Sequence, residues 1–457
     1  MKQLDFLFIY EHKVRELENL CLMKYELDRR GYKTGIIYIN DAENALSPKI
    51  LYKTKVLCMM ACYHNKTLRW HVKDFIEFEK IIDLQWENIV YPKDEHRVGA
   101  YKNYRGIGKD VVRVSWGKQN ETRLLETAQM DPAKVKVIGH VGMDFLRYPL
   151  SRYYISRKEL FDKYGIEQGK KVILFASPYY GDNLCQQYID DMCNRFGDNW
   201  IDYYHFMCES QKIVLQWFER LCTENKDIII IFRPHPGHPS LMADAMAEKY
   251  ENFKVIGSES VKQWIVSCDK VFTGNSSVVV EAFFAKKDCQ LLFPLDTTEG
   301  FELKLIEDSA KIRTYSEFEK AVRGNDNPFP TPRESIEEIY LVDWKEPSYI
   351  KFANMAEEVL DNNYYCLSKR QLTDFKEYSV WTKIVKRICK VDFVYNVYLK
   401  LLNSEKIHCR FIENQRKIRA EAYIAQKADS HELTSEQEIQ KIIERITYAL
   451  EGEKENE

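Results

Sequence analysis

IIIIFRPHPGHP, residues 228–239, is an uninterrupted apolar run that stops at an arginine, two histidines and three prolines. Four isoleucines and Phe232 without alternation suit a strand buried on both faces of a parallel sheet. Proline on both sides of His235 ends that strand and restricts the backbone that follows, so the Arg233 guanidinium and the His235 imidazole are aimed beyond the sheet's carboxyl edge. A bidentate fork and a neutral-pH donor at that place suit a phosphate. The competing reading is a rigid turn around an ordinary hydrogen-bonded histidine.

Outward from this stretch, similar short runs alternate with helix-length amphipathic segments. A first series comprises strands at Leu4–Tyr10, Thr34–Ile39, Lys55–Met60, Val111–Val114 and Val135–Ile138. A second comprises Lys171–Ala176, Asp227–Phe232, Phe253–Ile256, Lys270–Phe272 and Gln290–Phe293. Strand–helix alternation repeated twice predicts two α/β units in tandem. The expected division is 1–150, 165–335 and a helical C-terminal region, 336–457, in which Ser348–Leu360, roughly 374–426 and a final helix opened by the capping box Ser435/Glu438 carry the helical signal. Two doubly wound domains facing one another would share a cleft at the carboxyl ends of both sheets.

The second chemical signal is KVFTGNSSVVVEAFFAKK, residues 270–287. A strand enters the turn Thr273, Gly274, Asn275, Ser276, Ser277, which opens a helix whose first amides and hydroxyls would accept an anion. Gly274 is expected to let the backbone approach a ligand. Glu281, one turn further, suits ribose hydroxyls. An ordinary helix cap is the alternative. Ser177, in SPYYGDN at 177–183, begins a loop that would cross the phosphates or serve as an unremarkable strand–helix connection. Together these place a nucleotide mono- or diphosphate site in the second domain. No GxxxxGK[ST] and no GxGxxG after a strand is present, which removes the usual support for fuel-type NTP hydrolysis and dinucleotide redox chemistry.

In the first domain the opening strand runs into Glu11, His12, Lys13, Val14, Arg15 and Glu16. A carboxylate there would deprotonate an acceptor hydroxyl, Glu11 first and Glu16 next, while Lys13 and Arg15 would hold an anionic acceptor group. A solvated helix start with pairing Glu and Lys is the alternative. Asp83, Asp94, His96, His140 and Asp144 are weaker cleft candidates.

Composition narrows the class. The 457 residues carry 67 Lys+Arg against 70 Asp+Glu, so no basic excess advertises nucleic-acid binding. Hydrophobic residues at 45% and aromatics at 13% exclude global disorder. Phe6–Tyr10 is too short for a signal-peptide core and no run reaches the roughly 18 apolar residues of a spanning helix, so a cytoplasmic protein is expected, at most peripheral to the membrane's inner face. Twelve cysteines lack a CxxC pair; Cys58 and Cys62 with His64 form no convincing zinc set, and reduced structural thiols are expected.

With both halves in place, the chain resembles glycosyltransferases of the B-type (GT-B) fold, especially a bacterial branch acting on surface carbohydrate. The resemblance rests on EHKVRELENLCLMKYELDRRGYKT at the first helix, SWGKQN, KVKVIGHVGMDFL, RPHP at 233–236 and TGNSSVVVEA at 273–282, covering roughly residues 1–310. Similar His-Pro and Ser-Ser elements occur in CDP-glycerol phosphotransferases of teichoic acid synthesis and in Kdo- and sialic-acid transferases. They occur more loosely in UDP-N-acetylglucosamine 2-epimerases, whose corresponding turn is richer in glycine. The resemblance implies donor-phosphate contacts at His235, Ser276 and Ser277. It also implies metal-independent transfer of a sugar from a nucleotide-activated donor to a capsule, lipopolysaccharide or teichoic-acid-like acceptor, with no cofactor beyond the nucleotide-sugar. CDP-polyol phosphotransfer, 2-epimerisation and a non-catalytic scaffold on the same fold are the alternatives.

The helical C-terminal part has no counterpart in that resemblance. Residues 381–427 hold eleven Lys/Arg against four Asp/Glu, interleaved with Trp381, Phe393, Tyr395, Tyr398 and Phe411. That pattern fits docking on an anionic bilayer, where a lipid-linked acceptor is found, and equally an assembly module or a solvated helical bundle.

Overall fold

The computed structural model describes residues 1–39, 50–72, 76–92, 104–179, 184–235, 239–325, 327–374, 391–404, 406–410, 412–414, 416–417, 420 and 430–452. Asp94, His96, Trp381 and Phe411 lie outside them. The chain forms two compact units: one of residues 1–88, 101–141 and 343–447, the other of 89–100, 142–342 and 448–457.

The first unit is built on a parallel sheet of β1 (Lys2–Tyr10), β2 (Thr34–Tyr38), β3 (Tyr52–Met59), β4 (Ile76–Glu77), β5 (Lys80–Asp83), β6 (Val112–Ser115) and β7 (Val135–Val137). Its order is β2-β1-β3-β5-β6-β7, with β4 pairing on β3. Residues Phe6 to Tyr10 of β1 are buried, as expected for a strand covered on both faces. The helix Lys13–Arg29 follows β1.

The C-terminal residues 343–447 belong to this unit rather than forming a separate appendix. The helix Ser348–Asp361 turns Phe352 onto Phe8 of β1, ring centroids 6.0 Å apart. Its last carbonyls, of Val359 and Leu360, accept hydrogen bonds from Lys80 Nζ at 2.9 and 2.5 Å. Arg30 pairs with Glu357 and Lys136 with Glu358. This helix therefore supplies part of the layer that the first sheet needs. Lys80 is buried for the same reason, which is why β5 did not read as a strand: a lysine in a four-residue run breaks the apolar pattern.

The second unit holds β8 (Lys171–Ala176), β9 (Ile228–Arg233), β10 (Phe253–Val255), β11 (Lys270–Thr273), β12 (Cys289–Leu292) and β13 (Lys311–Ile312), all parallel, in the order β10-β9-β8-β11-β12-β13. Counted within the unit this is 3-2-1-4-5-6, the doubly wound Rossmann order. Its core is aromatic: Phe175, Phe218, Phe232, Phe272 and Phe318 are each fully buried, and Phe175 contacts both Phe218 and Phe232. A capping box of Ser156 with Glu159 opens the helix Arg157–Lys163. The fold is α/β, with two Rossmann-like parallel-sheet domains.

All eleven cysteines among the described residues are free. Cys58 and Cys62 are fully buried and burial pushes their thiols up, while His64 caps the helix Asn65–His71 by accepting from the Thr67 amide.

Candidate functional site

In the second unit, β8 is the central strand from which the chain winds out to β9 and β10 and then returns to β11 on the other side. A parallel sheet opens a crevice at the carboxyl end of such a switch point. The three stretches singled out from sequence end the three strands that meet there. Ala176 is in register with Arg233, and the Ser177 amide donates to the Arg233 carbonyl at 2.9 Å. On the other side Thr273 Oγ1 donates to the Ala176 carbonyl at 2.7 Å. The Arg-Pro-His and Thr-Gly-Asn-Ser-Ser turns thus flank β8 rather than each other, with Ser177 between them.

Arg233 is buried, and its Nη1 donates to the Gly257 carbonyl at 2.8 Å, which fixes the fork. Burial lowers its pKa; the carboxylates of Glu281 and Glu259 oppose that shift. Glu281, half-buried as a residue, has its carboxyl pushed up by desolvation, opposed by Lys262 and Arg233. His235 follows Pro234 at the same edge and is half-buried; Pro236 to His238 lie outside the described residues. Ser276 and Ser277 are half-buried at the start of the short helix Val278–Phe284, where Ser276 Oγ accepts from the Val278 amide at 3.3 Å.

Two expectations for this turn are corrected. A Cβ on Gly274 would lie 2.9 Å from the Pro178 ring and 3.3 Å from the Leu292 carbonyl. The glycine therefore serves close packing of protein on protein, at the point where the SPYY loop crosses the turn. Asn275 is buried with its amide already committed. It donates to the Phe301 carbonyl at 2.6 Å and the Tyr203 hydroxyl at 3.2 Å, and accepts from the Leu303 amide at 3.0 Å. It fastens the 301–303 loop instead of facing a ligand.

The structure also adds residues that the sequence reading missed. The loop after β10 carries Glu259 at a positive φ of 63°. Tyr164 holds this loop by its hydroxyl, 2.8 Å from Ser258 Oγ and 3.2 Å from Glu259 Oε1, and Lys163 pairs with Glu259. Ser260 caps the helix Val261–Ser267, which brings Lys262 toward Glu281. The available signal was Gly257-Ser-Glu-Ser260 directly after a strand, the same strand–turn–helix grammar as at 273–277. A cavity of about 1110 Å³ opens beside β10, lined by Tyr164 and by Lys170, Lys226, Lys249 and Lys254 among others, and by none of Ser177, Arg233, His235, Ser276, Ser277 or Glu281. Three of those lysines are tied, to Glu167, the Cys222 carbonyl and Glu219.

At the carboxyl end of β1 the two carboxylates differ in burial: Glu11 is half-buried and Glu16 buried. Glu16 is 1% exposed and its pKa is raised to about 7 by burial. The shift is opposed by amide hydrogen bonds from Glu11 and His12 and by the Arg15 charge. Glu16 Oε2 accepts from the Glu11 amide at 2.9 Å, which holds the Glu11 backbone. Lys13 is not available to an acceptor. Its Nζ donates to Glu438 at 2.8 Å and to the Leu433 carbonyl at 3.1 Å, and its amide donates to Glu432 Oε2 at 2.5 Å. The helix start is thus capped by a carboxylate from the C-terminal segment, which explains the crowding of charge there. Arg15 stays half-exposed between Glu87, 3.3 Å away, and Glu16, 3.9 Å away.

Asp83 is also structural: it accepts from Arg113 Nη1 and the Cys62 amide, each at 2.6 Å, with both side chains fully buried. His140 packs against Trp116, ring centroids 4.2 Å apart. Asp144 is buried 3.5 Å from Arg147.

No family model matches the sequence, and no curated protein does. Among solved structures, that of the wall teichoic acid polymerase TagF aligns with a TM-score of 0.52 at 15% identity, over 78% of this chain and 88% of that chain. A putative UDP-N-acetylglucosamine 2-epimerase from Listeria monocytogenes aligns at 12% identity and a TM-score of 0.43, over 80% of this chain and 99% of that one. The first likeness is one of fold: two Rossmann-like domains on the GT-B plan.

Proposed function

We propose that the protein is a transferase that moves a sugar from a nucleotide-activated donor to a surface polysaccharide or glycolipid acceptor. The observation that carries this reading is the convergence of Arg233-Pro-His235, Ser177 and Thr273 to Ser277 on adjacent strand ends at the switch point of a Rossmann sheet. Breaking a nucleotide-sugar bond builds negative charge on the leaving phosphate, and donors held in place before the reaction stabilise that charge. His235 and the serines at 276 and 277 would contact the phosphate, with Arg233 fixed beside them. Glu281 is assigned to the donor's ribose. This chemistry needs no metal, so turnover should survive EDTA.

Glu11, half-buried where Glu16 is 1% exposed, is assigned as the base that takes the proton of the acceptor hydroxyl, with Glu16 behind it. Glu16, whose Oε2 accepts from the Glu11 amide, holds the backbone that carries Glu11. Arg15, half-exposed next to it, would steer an anionic acceptor.

A second reading, transfer of a polyol phosphate from a CDP-polyol, is favoured by the fold likeness to a teichoic acid polymerase. The two differ in the bond that breaks. Glycosyl transfer cleaves the sugar C–O bond and leaves all phosphorus on the nucleotide, whereas polyol-phosphate transfer cleaves the pyrophosphate and moves phosphorus to the acceptor. Incubating the protein with radiolabelled UDP-, GDP- and CMP-sugars and CDP-glycerol, with lipid-linked saccharide acceptors, distinguishes them by which label reaches the acceptor. Absence of transfer from every donor would remove both readings and leave the fold as a binding scaffold.

A further inference from the structure

The helix Asp392–Asn403 in the first unit carries one apolar face that stays exposed among the described residues. Phe393 is 76% exposed, with Val397 and Leu401 at 40% and 36%. At ~100° per residue these three lie within about 80° of one another, while Tyr398 and Leu402 lie at about 140–180° from Phe393. Tyr398 and Leu402 are the ones that pack, forming a small core with Ile412 and Ile407. Of the aromatics that the sequence placed in this region, Tyr398 is therefore structural and Phe393 faces solvent.

The end of the helix is fastened from within. Arg416 donates Nε to the Leu402 carbonyl at 2.9 Å, Nη1 to that of Ile407 at 3.0 Å and Nη2 to that of Leu401 at 3.2 Å, and it also reaches the Ser404 carbonyl. The apolar stripe is thus mounted on a pinned helix. Lys400 falls about 20° from Phe393 on the helical wheel, at the stripe's margin. Lys406 and Arg410 follow it, all three exposed. Residues 391–420 contain six Lys/Arg against three Asp/Glu. An exposed aliphatic and aromatic stripe with Lys400 at its margin, in a segment of cationic excess, is complementary to an anionic lipid surface: apolar groups enter the headgroup–acyl boundary while ammonium and guanidinium groups meet lipid phosphates.

We propose that this helix docks the protein on an anionic bilayer through Phe393, Val397 and Leu401, with Lys400, Lys406 and Arg410 on the lipid phosphates. The proposal is independent of the transfer reaction, since vesicle binding requires neither donor nor acceptor. Co-sedimentation of the full chain with phosphatidylcholine vesicles, with and without phosphatidylglycerol, tests it. The protein should pellet with the anionic vesicles, less so as salt is raised. The triple variant F393E/V397E/L401E should lose binding roughly tenfold or more, and K400E/K406E/R410E should lose the preference for phosphatidylglycerol. Because the substituted side chains are exposed, circular dichroism and Tm in solution should be unchanged; F393S alone, with a smaller loss in the same direction, guards against misfolding of the triple variant. The proposal is overturned if wild type stays in the supernatant or the triple variant pellets equally well. It is also overturned if wild type runs as a dimer that the triple variant dissolves without any vesicle binding, which would make the face a contact between copies.

Discussion

Burial of the Glu16 carboxyl raises its pKa from the ordinary 4.5 to about 7, so folding favours its protonated form. Stability from this group is fully present below pH 4.5, declines as pH rises, and above pH 7 carries a penalty of about 3 kcal/mol at most. Glutamine keeps an oxygen for the Glu11 amide but cannot ionise. Glu16→Gln should therefore raise Tm at pH 8 and leave it nearly unchanged at pH 4.5. A Tm difference independent of pH would contradict the assignment. At Gly274 the added methyl of Ala meets the Pro178 ring and the Leu292 carbonyl; we expect a loss of ~1–3 kcal/mol in urea unfolding. Asn275→Ala should also destabilise, by ~1–3 kcal/mol, because the Leu303 amide and the Phe301 carbonyl lose their partner. His235→Ala differs from both in its functional effect: turnover should collapse at a temperature where circular dichroism shows the variant still folded.

Among the elements, strands covered on both faces were the most legible, because Ile228–Arg233 and Lys171–Ala176 read as apolar runs bounded by charge and proline. The shorter β4, β5 and β13 were not, since two to four residues carry no period and Lys80 hides its burial in bonds to Val359 and Leu360. Partnership over long sequence distance was equally invisible. Nothing near Lys13 announces that Glu432 and Glu438 hold it, and nothing near Asn275 announces the 301–303 loop. The turn chemistry at Arg233 and Ser276 was legible because proline and glycine act locally, whereas the pairing of Arg233 with Gly257 depends on tertiary contact. The helix Ser348–Asp361 was found from its pattern but not its place. Because Phe352 packs on Phe8, Phe352→Ala should cost ~3–5 kcal/mol, and truncation after residue 342 should leave an aggregating first unit instead of a trimmed, folded one.

For the whole molecule, the near-neutral charge of -3 conceals segments of opposite sign. The basic stretch 381–427 belongs to the unit that carries the first sheet, so the surface proposed for lipid and the carboxylate proposed for the acceptor share one unit. The central claim is that the second unit's sheet ends form a nucleotide-phosphate site. Its most direct measurement is thermal-shift titration of the purified chain with CMP, CDP, UDP and GDP. We predict a saturable rise in Tm with at least one of them, about 2.7 kcal/mol of stabilisation at a hundredfold excess over Kd. The rise should vanish in the His235→Ala/Ser276→Ala double variant, measured against that variant's own ligand-free Tm, which the lost hydrogen bond to the Val278 amide lowers modestly. If no nucleotide raises Tm, or if the double variant responds as wild type does, the site assigned at Ser177, Arg233, His235 and Ser276 is wrong.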